Sequence, residues 1–143
     1  MSRSARDMRR QLIGGVSLFS SCTDKEIAHI AALTDELDAP AGAVLTREGV
    51  PGRECFVVIE GQADVSVQGG SVAELGPGSF FGEMALLEPA PRSATVTARS
   101  PMRLLVLSPS ALSELLDRHP VVTRRMLTGL AVRLRRAEHA PTY

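Results

Sequence analysis

Four residues in one short stretch carry groups suited to a phosphorylated sugar: Gly82, Glu83, Arg92 and Ser93. Arg92 supplies a guanidinium whose fork of N–H groups matches two oxygens of one phosphate, and Ser93 adds a hydroxyl. Gly82 lets a ligand approach the backbone closely. A short helix starting there would turn free N–H groups and partial positive charge toward an anion. Glu83 is the carboxylate at this turn. It would repel a phosphate, yet an ionised carboxylate accepts hydrogen bonds from hydroxyls such as a ribose 2′-OH. Phosphate and hydroxyl on one compact ligand together point to a cyclic ribose phosphate.

The remaining chemistry is excluded by what the chain lacks. His29, His119 and His139 all fall on helical stretches, so none supplies a metal ligand lining a β-barrel. Cys22 and Cys55 have no metal-binding spacing, and Cys55 sits in an apolar run as a small core residue. No phosphate loop ending in Gly-Lys-Ser/Thr, no serine elbow and no Cys/His pair at catalytic spacing occurs. No enzyme activity, catalytic residue, cofactor or metal is therefore expected. The 143 residues make one domain large enough to bury a core without disulfides. A net charge of zero gives no general attraction to nucleic acid or to an acidic membrane. No apolar run nears the roughly 20 residues that span a bilayer, and the basic start (Arg3, Arg6, Arg9, Arg10) leads into no signal-peptide core. The expected location is the cytoplasm.

The elements that must position these residues are mainly β. Thr23-Asp24-Lys25-Glu26 reads as a capping box opening a short helix to about Thr34, with Ile27, Ile30, Ala31 and Leu33 at helical spacing. From Val44 to Leu107 short strand-like runs follow: Val44-Leu45, Cys55 to Ile59, Ala63 to Val67, Ser71 to Leu75, Thr95 to Ala98 and Leu104 to Leu107. Turns at Gly49 to Gly52, Glu60-Gly61, Gly69-Gly70 and Gly76 to Gly78 separate them. Strands at this spacing indicate a sandwich or barrel. The run Phe80 to Glu88 breaks the alternation and reads as helix, stopped by Pro89 to Pro91. Ser108-Pro109 caps a further helix carrying Leu112, Leu115 and Leu116. His119-Pro120 breaks it, and a longer helix follows with Val122, Met126, Leu127, Leu130, Leu134 and Ala137 along one side. Arg124, Arg125, Arg133, Arg135 and Arg136 occupy its other side, read as a solvated face.

Phe81-Gly82-Glu83-Met84-Ala85-Leu86 followed by Pro91-Arg92-Ser93-Ala94-Thr95-Val96 resembles the phosphate-binding cassette of cyclic nucleotide-binding domains. That family includes kinase regulatory subunits, gated channels and bacterial transcription regulators. The resemblance extends from about Val16 to Ala137. It implies a β-roll or jelly-roll-like barrel with an N-terminal helix and two C-terminal helices. A basic segment, 1–15, would precede a domain at 16–140, with the cassette at 78–96 and lid helices at 109–139. In that family pattern Arg92 pairs with the cyclic phosphate, helped by Ser93 and the backbone at Ala85 and Ala94. Glu83 and the Gly82 backbone hold the ribose. Val65, Val72 and Met84 wall the sugar and base, and the last helix closes as a lid through Arg133 and Leu134. Ser93 replaces both the alanine of many kinase-type sites and the threonine associated with cGMP preference; cAMP is expected ahead of cGMP.

Simpler structural readings exist for each. Arg92 and Glu83 would form a surface ion pair, and Arg133 would answer the helix dipole. Val65, Val72, Met84, Leu86 and Leu87 would be buried core; the family resemblance allows Met84 a second role, repacking against Leu112 or Leu116 when a ligand draws the cassette inward. The expected partners are a cyclic nucleotide and an unidentified effector protein, with no DNA-binding module or membrane segment and the oligomeric state open. The alternative is a barrel without ligand that packs or dimerises through its C-terminal helix.

Overall fold

The structure, a computed structural model, describes residues 2–87 and 90–139; Glu88, Pro89 and Tyr143, and the side chains of Ala85 and Ala137, lie outside the described residues. The chain opens with α1 (Ser2–Gly14), a 3-10 turn (Ser17–Phe19) and α2 (Asp24–Leu33). The β elements are β1 (Asp35–Ala39), β2 (Val44–Thr46), β3 (Pro51–Gly52), β4 (Cys55–Glu60), β5 (Ala63–Val67) and β6 (Gly70–Leu75). They continue through β7 (Phe80–Phe81), a 3-10 turn (Glu83–Leu86), β8 (Ala90–Pro91), β9 (Thr95–Ala98) and β10 (Met102–Leu107). Two helices close the chain, α3 (Pro109–Arg118) and α4 (Pro120–His139).

The strands form a roll rather than a closed barrel. One four-stranded sheet has the order β1-β10-β4-β7, a second has β2-β9-β5-β6, and β3 pairs with β8. All pairings are antiparallel. The first sheet is the partition of the molecule. Successive side chains of a strand point to opposite faces, and in β4 both faces are apolar and buried. Cys55, Val57 and Ile59 enter a core shared with the helices, while Phe56 and Val58 enter the core inside the roll. The same alternation divides β10, with Leu105 and Leu107 under the helices and Met102 and Leu104 in the roll. It divides β7 as well: Phe80 faces the helices and Phe81 stacks on Phe56 at 4.8 Å between ring centroids.

Local signals set the helix boundaries. Glu26 N–H donates to Thr23 Oγ1 at 3.2 Å and Thr23 N–H donates to Glu26 Oε1 at 2.8 Å, so the capping box is present. Ser108 Oγ accepts from Ala111 N–H at 3.2 Å, with Pro109 in the first turn of α3. Two elements arise from contacts far along the chain. Strand β1 is charged and mostly exposed, and it exists because β10 supplies its ladder and Arg103 pairs with Glu36 (3.2 Å) and Asp38 (3.4 Å). The basic N-terminal stretch is helical, held by buried Ile13 and by Arg9, which donates to the Thr34 carbonyl at 2.6 Å.

Helix α4 buries a narrower face than its sequence suggests. Val122 and Met126 are buried and Leu130 packs against the same core, whereas Leu127 and Leu134 are 61% and 62% exposed. The period of 3.6 residues explains this: 122, 126, 129/130 and 133 align on one face, and Leu127 and Leu134 fall beside it. Nor is the arginine side a uniform solvated face. Arg125 donates to Ser17 O, Ser20 Oγ and Ser21 Oγ, tying α4 to the first 3-10 turn.

Leu104 and Leu105 are adjacent, both fully buried, and serve opposite cores. Each truncated to alanine is expected to cost about 2–5 kcal/mol in urea denaturation. Comparable losses at the two positions would show that the helical layer and the roll are one cooperative unit.

Candidate functional site

The cassette is built where the second short strand pair meets the end of β7. Arg92 follows β8, and its backbone is strapped to the opposite loop: its N–H donates to Val50 O at 3.0 Å and its carbonyl accepts from Gly49 N–H at 2.8 Å. Its guanidinium is held by backbone carbonyls. Nη2 donates to Glu54 O at 2.8 Å and Nη1 to Gly82 O at 3.4 Å. Carbonyl acceptors orient the group without neutralising it, so its charge remains for an anion.

Two glycines make room for this arrangement. Gly82 has φ +84°, the left-handed region, and a Cβ there would strike Glu54 O and lie 2.7 Å from Arg92 Nη1. Gly52 was read only as a turn residue. A Cβ at that position would strike Arg92 Nε and sit 2.6 Å from Cζ, so Gly52 is the floor on which the guanidinium lies. Its one sequence signal is a glycine at the end of a Gly-Val-Pro-Gly turn, which does not name Arg92 as the neighbour.

Glu83 is partly buried at the first position of the 3-10 turn, with Gly82 as its N-cap. It does not pair with Arg92. Arg133 of α4 donates from Nη1 to Glu83 Oε1 at 2.9 Å and from Nη2 to the Phe80 carbonyl. The same guanidinium lies over the Phe80 ring, 4.5 Å from Cζ to centroid, a cation–π contact. Gly129, one turn earlier, lets that ring approach the helix: a Cβ there would be 3.0 Å from Phe80 Cε1. The tie removes the electrostatic difficulty of a carboxylate in a phosphate site, because Arg133 neutralises it while Oε2 stays an acceptor.

The other sequence candidates divide. Ser93 is exposed and Ala94 half-buried at the start of β9, where Thr46 Oγ1 donates to Ala94 O at 3.2 Å. Ala85 lies inside the 3-10 turn. Val65 packs against the roll core, opposite Ala73 and Val96. Val72 is not core: it sits where the β5–β6 register shifts and is 62% exposed. Ala73, not Val72, pairs with Val65 and shares its face. Met84, Leu86 and Leu87 are also exposed, at 62%, 37% and 74%. The segment is a single 3-10 turn lying outside the sheet, too short to present a buried face, and no element covers Met84 closely enough to bury it. Leu134 is exposed beside the tie that Arg133 makes.

Among the described residues no group of histidines, cysteines and carboxylates is arranged to hold a metal ion. No helix among them is long and apolar enough to cross a membrane.

A two-sheet roll interrupted by one 3-10 turn, flanked by helices and carrying an arginine on the facing loop, is a ligand-binding β-roll domain. A family model described as cyclic nucleotide-binding domain matches residues 36–119, and the chain belongs to that family. It is 45% identical over 97 residues to a cyclic nucleotide-gated potassium channel of Mesorhizobium japonicum, a match covering 68% of this chain and 27% of the channel. It is 30% identical over 122 residues to a CRP-like cAMP-activated global transcriptional regulator of Mycobacterium tuberculosis, covering 80% of this chain and 54% of that protein. The crystal structure of the Thermus thermophilus catabolite activator protein matches with a TM-score of 0.72 at 31% identity, over 85% of this chain and 59% of that one. The regulatory domain of Toxoplasma gondii PKA with cAMP matches at 0.73 and 23% identity, over 92% and 51%, a likeness of fold alone. The chain spans from about a quarter to about half the length of these two curated relatives.

Directly behind the cassette, burial above all, with Glu83 adding to it and Arg92 and Arg133 opposing it, raises the Cys55 thiol to about 12. The folded chain thus keeps a proton that an unfolded chain releases near pH 8.5, so this contribution is present below that pH and is lost above it. We expect the urea midpoint of the wild type to fall above about pH 9 more steeply than that of Cys55→Ala. Native protein at pH 8 should be alkylated by iodoacetamide at the half-buried Cys22 and not at Cys55, as read by mass spectrometry.

Proposed function

We propose that the cassette binds a cyclic nucleotide, cAMP in preference to cGMP, as a regulatory module that catalyses no reaction itself. The observation that carries this reading is the half-buried Arg92 guanidinium, held by the Glu54 and Gly82 carbonyls. Arg92 takes the cyclic phosphate, with the Ser93 hydroxyl and the backbone at Ala85 and Ala94 completing its shell. Glu83 Oε2 and the Gly82 backbone take the ribose hydroxyl. Val65 contributes the apolar wall, and Val72 and Met84, exposed before binding, are covered by the base and sugar. Support for cAMP comes from relatives named as cAMP-activated or cAMP-dependent. The effector that reads the bound nucleotide is a further protein or domain of unassigned kind.

Arg133 supplies the link to an output. A ribose arriving at Glu83 must share that carboxylate with Arg133, so α4 senses occupancy through one ion pair, and Leu134 moves with it as part of the lid. For the motion to act as a switch, the nucleotide must bind one arrangement of α4 better than the other. A tenfold shift needs about 1.4 kcal/mol, well within the range of a charge-assisted contact.

A second reading keeps the roll as a scaffold that packs or dimerises through α4, and the exposed Leu127 and Leu134 favour it. Calorimetric titration with cAMP and cGMP separates the two. We expect saturable binding that weakens by about 2–5 kcal/mol in Arg92→Ala; absence of binding by nucleotide-stripped protein would leave the scaffold. In NMR titrations, cAMP should shift residues Leu127 to Arg136 in the wild type, and Arg133→Ala should confine the shifts to the roll.

A further inference from the structure

Away from the cassette, two histidines form a chain of contacts that its chemistry does not use. His29 lies on α2 one turn after Glu26, and His119 is the residue that joins α3 to α4. His119 N–H donates to Leu115 O at 3.0 Å, and its carbonyl accepts from Thr123 N–H at 3.0 Å and Thr123 Oγ1 at 3.2 Å, so both helices share its backbone. Its ring is 5% exposed. His29 Nδ1 and His119 Nε2 are 2.7 Å apart, and His29 Nε2 is 2.7 Å from Glu114 Oε2. His119 Nδ1, buried and without a hydrogen-bond partner, faces Glu26 Oε2 at 3.6 Å.

Counting protons along this line fixes its charge state. An ionised carboxylate only accepts, so His29 Nε2 carries a proton toward Glu114. The 2.7 Å gap between the rings is a hydrogen bond and holds one proton, whichever nitrogen owns it. His119 Nδ1 is satisfied beside Glu26 only when it too is protonated. Three protons on two rings give the pair one positive charge between two carboxylates. A fourth proton has no place except the gap, where two N–H groups would collide.

We propose that His29 and His119 form a proton-operated clamp between α2 and the α3–α4 corner, complete with one shared proton and opened by a second. The groups facing it are Glu26 from α2 and Glu114 from α3; Cys22, before α2, feels the charges of Glu26 and Arg125, and Arg125 of α4 is turned to Ser17, Ser20 and Ser21. Asp24, Lys25, Asp117 and Arg118, on the adjoining turns, are exposed. The Thr23 backbone and side-chain hydrogen bonds hold the Glu26 carboxyl below the usual range, with His119 adding to the effect, so Glu26 stays ionised as acid approaches. The closed clamp keeps one extra proton on the two rings. The unfolded chain goes from none to two as pH falls through about 6.5, in the range of about 5 to 8 where imidazole changes charge. The clamp's contribution is therefore greatest near that pH and is lost as pH drops below it. Acidification would loosen the corner from which α4 runs to Arg133 and the cassette.

The test uses the whole chain and one conservative variant. His29→Gln keeps a donor for Glu114 and an acceptor for His119 and removes the titration. Side-chain NMR over this pH range should show the wild-type rings holding three protons at pH 7 and taking up the fourth in a separate, more acidic step. In His29→Gln the His119 curve should change. Between about pH 6.5 and pH 5 the wild-type Tm should fall by about 2–4 °C more than the Tm of the variant, which is the shift of about 1 kcal/mol for a chain of this size. Rings that titrate independently, a His119 curve unchanged in His29→Gln, or equal Tm losses in both proteins would overturn the clamp.

Discussion

The molecule depends on a sheet whose central strands are buried on both faces. β4 and β10 pair along their length, and alternate residues of each serve the helical core and the roll core. Neither layer is therefore a separable unit. Removing a side chain from either face opens a cavity against one partner while the shared backbone carries the strain to the other. Phe80 and Phe81 extend this division to the edge of the sheet, where the chain leaves β7 and enters the cassette. The cassette is thus continuous with the partition rather than a loop attached to it.

That continuity gives the site its geometry. Arg92 reaches the cassette from the opposite loop, and its guanidinium is fixed by the carbonyls of Glu54, which directly precedes β4, and Gly82, which directly follows β7. Both acceptors are backbone atoms at the ends of buried strands, so the cation is held in one orientation and has already given up much of its side-chain entropy. Gly52 and Gly82 contribute by absence, since a Cβ on either would occupy the guanidinium's place. On the other side, Arg133 balances Glu83 and rests on Phe80.

Helix α4 is held at three points of different chemistry. Arg125 anchors it to the serines around the first 3-10 turn, Val122 and Met126 bury it in the helical core, and Arg133 fastens it to the cassette. The polar tie at Glu83 and the histidine corner at its start are the contacts that charge can alter, whereas the apolar contacts between them respond little to charge. The buried residues Val122 and Met126 lie in the first third of the helix, and Arg133 fastens its later part to the cassette. The channel and the regulator that this chain resembles are longer chains, of which it spans about a quarter and about half.

How much of this was legible in the sequence follows from the range of each interaction. The capping box at Thr23, the Ser108-Pro109 start, the extents of β5 and β9, and the Gly82, Glu83, Arg92, Ser93 set were readable because their signals lie within a few residues or in a recurring two-part pattern. Strand β1, helix α1 and the two-residue strands were not, because their stability comes from partners far along the chain, such as Arg103 for Glu36 and Asp38. Composition overstated burial at Val72, Met84, Leu86 and Leu87, since hydrophobicity shows what a residue tolerates and not what will cover it. The sequence by itself determined the residue types of the cassette and the caps that start its helices. Only the tertiary structure decided that Arg92 lies on Gly52, that Arg133 takes Glu83 and that His29 meets His119. Those contacts join residues 40 to 90 positions apart, and only the packing of the partition sheet brings them together.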